Sequence, residues 1–221
     1  MSTLYSAPVA PLLDRLFADA DQASPMTSPA FASLSGEERY RMMRSKTDYR
    51  ALYASLKDFA LPVSREMGKL LYMLACATGA RSIVEFGTSF GLSTLHLAAA
   101  LRDNGGGRLI TSEFEPSKAA RARENFAAGG VSDLVELREG DAIETLAADL
   151  PETIDLLLLD GAKSLYLDIL RLVEGRLRPG AIIVADNADY CPDYLDHVGS
   201  AANGYLTIPF TDDVELTMRL V

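Results

Sequence analysis

The chain has 221 residues, 48% apolar and 24% charged, with 21 Lys and Arg against 31 Asp and Glu, a net charge of −10. That length suits one domain with a sizeable core, and the acidic balance argues against nonspecific nucleic-acid binding, which rests on Lys and Arg meeting phosphates. No run approaches the roughly 18 apolar residues of a membrane span, Asp14, Arg15 and Asp19 interrupt the N-terminal apolar stretch as no signal peptide would, and two separated cysteines, Cys76 and Cys191, read as packing residues in a reducing cytoplasm.

Residues 12–20 read as a helix and residues 24–35, rich in Ser, Pro and Ala, as a loop. Ser35 with Glu38 forms a capping box for a further helix that carries residues 37–44 and runs, broken, towards Lys57. Residues 1–60 are set apart as a helical extension with two open readings: packing or a dimer contact, and a lid over a pocket. The domain proper spans 61–221. Leu61-Pro62-Val63-Ser64 breaks the pattern, and Ser64 caps a helix over 65–78 whose apolar residues (Met67, Leu70, Leu71, Leu74) keep helical spacing.

A first strand at Ile83 and Val84 runs into a glycine-rich turn and a helix over 91–102. A second strand, 108–112, ends at Glu113, and Pro116 opens the helix 117–128. A third strand, 134–138, leads to Asp141 and a helix over 142–150. The unbroken apolar run 154–159 is a strand buried on both faces and ends in Asp160. A helix over 164–177 stops at Pro179-Gly180, and a buried strand, 181–185, ends in Asp186-Asn187. After a helix at 194–200, two strands, 205–210 and 214–220, pair across Thr211-Asp212-Asp213. The class is α/β: a Rossmann-like, doubly wound, mostly parallel sheet of seven strands, with an antiparallel C-terminal edge and extra N-terminal helices. Ligands of such sheets bind at the carboxyl ends of the strands.

The first turn, Glu85-x-Gly87-x-x-x-Gly91, departs from the dinucleotide fingerprint. Aligned on Gly87, its first glycine would be Glu85 and its third Phe90. A carboxylate facing a pyrophosphate is repulsive, and Phe90 blocks close backbone approach. The turn suits a cofactor with positive charge and no phosphate, a description that S-adenosylmethionine meets; a plain structural turn with two glycines stays open.

Five strand ends carry carboxylates: Glu85, Glu113, Asp141, Asp160 and Asp186, the last followed by Asn187. Each alone reads equally as a helix cap; together they need donors, a cationic ligand or a metal. Glu113 is placed for a ribose diol, and Asp141 for an adenine amino group or a cap. Asp160, Asp186 and Asn187 offer hard oxygen ligands to Mg²⁺, Mn²⁺ or Ca²⁺. Lys163, three residues past Asp160, faces the same edge; a neighbouring cation lowers its pKa towards general-base duty, the alternative being a solvated lysine. Tyr166 lines the pocket or packs.

The pieces LPVSREMG, VEFGTSFGLST, TSEFEP, REGDA, LLLDGAKSLY and IIVADNA resemble those of class I S-adenosylmethionine-dependent methyltransferases, and among them the cation-dependent catechol and caffeoyl-CoA O-methyltransferases. The resemblance covers residues 61–221. It implies that Leu61 and Val63 lie against the cofactor, that Glu85, Gly87, Ser89 and Ser93 hold its methionine part, that Glu113 binds its ribose with Phe114 on the adenine, and that Asp141 and Ala142 border the adenine. It further implies a metal set of Asp160 (also beside the cofactor), Asp186 and Asn187, Lys163 as catalytic base, a small vicinal-diol aromatic acceptor and a homodimer. One departure stands out: catechol enzymes carry a bulky aromatic just before the lysine, and this chain has Ala162. A noncatalytic S-adenosylmethionine-binding protein on the same fold is the alternative. A nicotinamide oxidoreductase is opposed by Glu85 and Phe90, and a nucleic-acid N-methyltransferase by the acidic charge and the missing Asn/Asp-Pro-Pro-aromatic run.

Overall fold

Seven strands form one sheet in a computed structural model that describes residues 2–23 and 25–221. They are β1 (Ser82–Phe86), β2 (Arg108–Glu113), β3 (Val135–Glu139), β4 (Ile154–Leu159), β5 (Leu177–Ala185), β6 (Tyr205–Pro209) and β7 (Glu215–Arg219). Their order is β3-β2-β1-β4-β5-β7-β6. The chain winds outward from β1 to β3, then returns to lay β4 against the other side of β1. That reversal opens a crevice at the carboxyl ends of β1 and β4, where open α/β sheets take their ligands. β7 alone runs against the rest, antiparallel to both β5 and β6.

The helices are α1 (Val9–Gln22), α2 (Pro29–Ala32), α3 (Gly36–Arg44), α4 (Tyr49–Ala54), α5 (Arg65–Ala77), α6 (Leu92–Asp103), α7 (Pro116–Ala128), α8 (Ala142–Thr145), α9 (Tyr166–Val173) and α10 (Pro192–Gly199). Side chains of the central strands alternate between the two faces of the sheet. On one face Ile83, Leu109, Leu156 and Leu158 pack with Leu71 of α5 and Leu97 and Leu101 of α6. On the other, Val84, Ile110, Leu157 and Leu159 pack with Ile169 and Leu170 of α9 and Val198 of α10. Helix α6 is sandwiched: its far side meets Leu12, Leu13 and Leu16 of α1, which explains why residues 92–101 are all buried and show little amphipathic pattern.

Local chemistry sets most boundaries. Ser64 Oγ accepts from the Met67 amide at the start of α5, and Ser35 and Glu38 complete the capping box of α3. Pro116 takes the first turn of α7 behind a Glu115 cap. The expected loop at 24–35 holds a short 3-10 turn (Pro25–Thr27) and α2, capped by Ser28. Two expected helices are shorter than their apolar pattern suggests. α8 ends at Thr145. The stretch read as one helix over 164–177 is a 3-10 turn (Lys163–Leu165), α9, and a second 3-10 turn (Glu174–Arg176). β5 then begins at Leu177, ahead of Pro179-Gly180. Its register jumps between the Ile154–Leu177 and Leu156–Ile182 pairs, so the Pro-Gly step bulges out of the ladder, with Gly180 at φ +81°. Among the described residues no helix is long and apolar enough to cross a membrane.

Candidate functional site

The tip of β1 is shaped by glycine. Gly87 sits at φ +104°, and a Cβ there would stand 2.5 Å from the Asp160 carbonyl oxygen at the tip of β4. A side chain at Gly87 would therefore be excluded twice, by its left-handed backbone and by the neighbouring strand. The turn continues through Ser89, also left-handed at φ 49°. The Ser89 amide donates to Glu113 Oε2 at 2.8 Å, and Ser89 Oγ accepts from the Leu61 amide at 3.1 Å. Three expected cofactor residues, Leu61, Ser89 and Glu113, are thus tied together at the mouth of the crevice.

Glu85 is placed differently from the expectation that it faces a ligand. It is wholly buried, and its oxygens accept from Ser93 Oγ (2.6 Å) and Thr94 Oγ1 (2.5 Å) at the start of α6. Burial raises its pKa against the pull of these hydroxyls and of Thr111. Glu85 and Ser93 therefore stand one layer beneath the crevice, pinning α6 to β1. Val63 is likewise enclosed, among the apolar residues of α5 and α6. None of the three borders the cavity.

That cavity has a volume of about 750 Å³. Gly87, Ser89, Glu113, Phe114, Asp141 and Ala142 line it towards β1–β3. Asp160, Ala162, Lys163, Asp186 and Asn187 line it towards β4 and β5. Its roof comes from the N-terminal segment: Phe31, Met43, Tyr49, Arg50, Leu52, Tyr53 and Leu56. The roof is fastened to the body by Ser164 Oγ donating to the Ser45 carbonyl at 3.1 Å and by two exposed ion pairs, Lys46 with Asp168 and Arg50 with Asp141. The stretch after α1 thus forms one wall of the cavity.

The five strand-tip carboxylates are not one free crowd. Asp141 Oδ1 caps α8 through the Ile143 amide at 2.9 Å, while Arg50 holds its other oxygen. Glu113 accepts from the Ser89 and Glu115 amides and has buried Lys118 nearby; burial still raises its pKa. Lys118, 4% exposed, has its own pKa lowered by burial against the pull of Glu113 and Glu115. So local donors satisfy three of the five.

Asp160 and Asp186 form the remaining pair. Lys163 Nζ lies 3.0 Å from Asp160 Oδ1 and 3.8 Å from Asp186 Oδ2, donates to the Asp186 carbonyl at 3.2 Å, and meets Tyr166 Oη at 2.8 Å. Tyr166 is buried and donates to the same carbonyl at 2.7 Å, so it positions the lysine rather than lining the cavity. Burial raises the pKa of both aspartates, and each feels another carboxylate: Asp160 that of Glu85, Asp186 that of Asp160. For Lys163 burial disfavours the charge, but Asp160 and Asp186, with Tyr53 beside them, outweigh it and raise the pKa. The expected lowering is not a property of the protein alone. It presupposes a cation drawing on the same two carboxylates.

The donor set fits such a cation: two carboxylates that repel each other, close enough to share one ammonium, followed by the Asn187 amide. Asn187 is left-handed at φ 51°, and its Nδ2 reaches Asp213 Oδ2 only at 3.5 Å. Among the described residues there is no group of three His, Cys, Asp or Glu suited to a metal, so the amide oxygen is needed to complete the set. Sequence reasoning missed Arg50, Tyr53 and Lys118. The first two are signalled only by the aromatic and apolar spacing of Tyr49, Leu52, Tyr53 and Leu56.

A family model described as a methyltransferase domain matches residues 84–188, from the middle of β1 to just past Asn187. A catechol O-methyltransferase of Niastella koreensis is 39% identical over 131 residues, 58% of this chain and 58% of the relative. Catechol O-methyltransferase B of Danio rerio is 36% identical over 170 residues, 73% of this chain and 63% of that protein. The chain thus spans about six tenths of the length of these curated relatives. The crystal structure of an O-methyltransferase from Streptomyces achromogenes in complex with SAM superposes with a TM-score of 0.63 at 25% identity, covering 92% of this chain and 99% of that one. In its strand order, glycine turn and strand-tip residues, the chain is similar to S-adenosylmethionine-dependent O-methyltransferases, catechol O-methyltransferases among them.

Proposed function

We propose that the chain transfers the methyl group of S-adenosylmethionine to a hydroxyl of a small aromatic acceptor bearing vicinal oxygens, with the help of a divalent cation. The observation that carries this reading is the meeting of Asp160, Asp186 and Lys163 at one end of a cavity whose other end holds the Gly87 turn and Glu113.

In this reading Glu113 accepts from the ribose hydroxyls, keeping the lone pairs not already engaged by the Ser89 and Glu115 amides. Phe114 and Ala142 offer apolar surface to the adenine, and Asp141 an acceptor at its edge. Asp160, Asp186 and Asn187 would hold Mg²⁺, Mn²⁺ or Ca²⁺, which supplies the positive charge that lowers the pKa of an acceptor hydroxyl. S-adenosylmethionine, when bound, supplies the methyl on a sulfonium. Lys163 Nζ, oriented by Tyr166 and the Asp186 carbonyl, would take the hydroxyl proton as the free amine, the form favoured once Asp160 and Asp186 hold a cation in place of its ammonium and its own proton has passed to solvent. The cover through Phe31, Met43 and Leu56 would exclude water and hold the acceptor oxygen near the methyl group, where proximity contributes to the rate. Ala162 lines the end where catechol enzymes carry a bulky aromatic, so the acceptor is not restricted to catechol itself.

The test is methyl transfer from labelled S-adenosylmethionine to a panel of vicinal diphenols of increasing size, with Mg²⁺ and with chelator. Transfer that requires the cation, and two adjacent oxygens on the acceptor, is expected. Binding of S-adenosylhomocysteine without transfer to any acceptor would leave a noncatalytic binding protein in its place.

A further inference from the structure

The cover contributes two tyrosines to the cavity, and they differ in one respect. Tyr49 Oη accepts from Arg50 Nε at 3.2 Å, and its ring lies 5.8 Å from the Arg50 guanidinium carbon. Tyr53, one turn on in α4, also lines the cavity, yet its hydroxyl has no hydrogen-bond partner among the described residues. Across the cavity Tyr166 Oη is already engaged by Lys163 and the Asp186 carbonyl. Tyr53 lines the same cavity as Lys163, Asp160 and Asp186. Its ring packs partly buried against the core that includes Tyr166 and Leu165. A phenylalanine would serve that packing equally. The hydroxyl opens onto the cavity, so a group that fills the cavity and excludes water from it must offer that hydroxyl a partner.

We infer that Tyr53 is a specificity-determining residue: its hydroxyl donates a hydrogen bond to an oxygen of the bound aromatic acceptor, so the cover reads the acceptor's oxygens while the strand tips activate them. This rests on the functional reading above. The cavity supplies the remaining requirement, since the roof and the Lys163 end are walls of the same space.

The experiment is Tyr53→Phe in the full chain. With Mg²⁺ and S-adenosylhomocysteine present, calorimetric titration gives the Kd of the best diphenol of the panel, and steady-state kinetics give its KM and kcat. Loss of one neutral hydrogen bond predicts a Kd and KM raised about three- to tenfold, with kcat within about twofold and the Kd of S-adenosylhomocysteine unchanged. Unchanged acceptor Kd in an active variant would overturn the assignment and leave Tyr53 a packing residue. An equal weakening of S-adenosylhomocysteine would overturn it too, since that marks a general disturbance of the cover. If the native chain binds S-adenosylhomocysteine but neither binds nor methylates any diphenol, the functional reading fails and this inference with it.

Discussion

The rim of strand tips and the cover above it solve opposite problems. At the rim, charged groups are buried and must be matched one by one: Asp160 and Asp186 to Lys163, Glu85 to Ser93 and Thr94, Glu113 to backbone amides. The cover is largely apolar where it faces the cavity, and among the described residues it meets the body through the packing of Tyr49, the Tyr40–Tyr190 ring contact, the Ser164–Ser45 hydrogen bond and exposed ion pairs. Buried, mutually dependent polar groups are costly to disturb, because losing one strands its partner. Exposed pairs are cheap to break and reform. On the proposed function, the rim carries the chemistry and the rigidity, and the cover governs access.

Breaking the rim should have the largest effect. Lys163→Ala removes both the proton acceptor and the ammonium shared by Asp160 and Asp186. Methyl transfer is expected to fall about 10²- to 10⁴-fold, the usual contribution of a positioned acid or base. S-adenosylhomocysteine affinity should hold, since Glu113 and the Gly87 turn are untouched. Without the lysine the two carboxylates face each other uncompensated, so Mg²⁺ should raise the Tm of the variant more than that of the native chain. Retained turnover would remove Lys163 from the chemistry, and the rim would become merely structural.

The contrast also explains what the sequence made legible. Strand tips are fixed by topology: once the apolar runs at 154–159 and 181–185 are strands, the residues that follow them must share one edge. Asp160, Lys163, Asp186 and Asn187 could be placed together for that reason. The burial of Glu85 was not visible, because Ser93 and Thr94 reach back from the helix after the turn, and no spacing rule separates a carboxylate facing a ligand from one facing hydroxyls. Nor was Lys118, whose position in α7 looks like any solvated face until the helix is laid against β2 and β3. The start of β5 was misplaced because Pro179-Gly180 reads as a helix stop, whereas here it forms a bulge within a strand. The cover was least legible of all. Its residues Tyr49 and Tyr53 pack against the core and border the cavity at once, and periodicity does not tell those roles apart.

A second way to sharpen the comparison separates matched from unmatched charge within the rim. Glu85 is buried with hydroxyl partners and no cation, and its pKa is raised. The folded state therefore holds the Glu85 proton more tightly than the unfolded chain. Its contribution to stability is fully present below the ordinary glutamate pKa and is lost as pH rises through the folded value. Glu85→Gln, which cannot ionise, should flatten the fall of stability over that window, so urea midpoints of variant and native chains converge at low pH and diverge in favour of the variant as pH rises. The opposite divergence would mean that Ser93, Thr94 and Thr111 over-compensate burial, and that the anion is the favoured form.

The smallest expected effect tests the cover. Arg50 is exposed, stacks on Tyr49 and pairs with Asp141, the same aspartate that caps α8 at the end of the cavity proposed for the adenine. Arg50→Ala removes the pair but not the cap, so the thermal midpoint should barely move. If ion pairs hold the cover shut, S-adenosylhomocysteine should leave the variant severalfold faster in stopped-flow displacement. The native chain should approach the same rate in about 1 M salt, where charges are screened beyond roughly 3 Å, while the variant should respond less. Equal release from both chains at all salt concentrations would place the closing force in the apolar contacts of Phe31, Leu52 and Leu56. The cover would then share the rim's rigidity instead of opposing it.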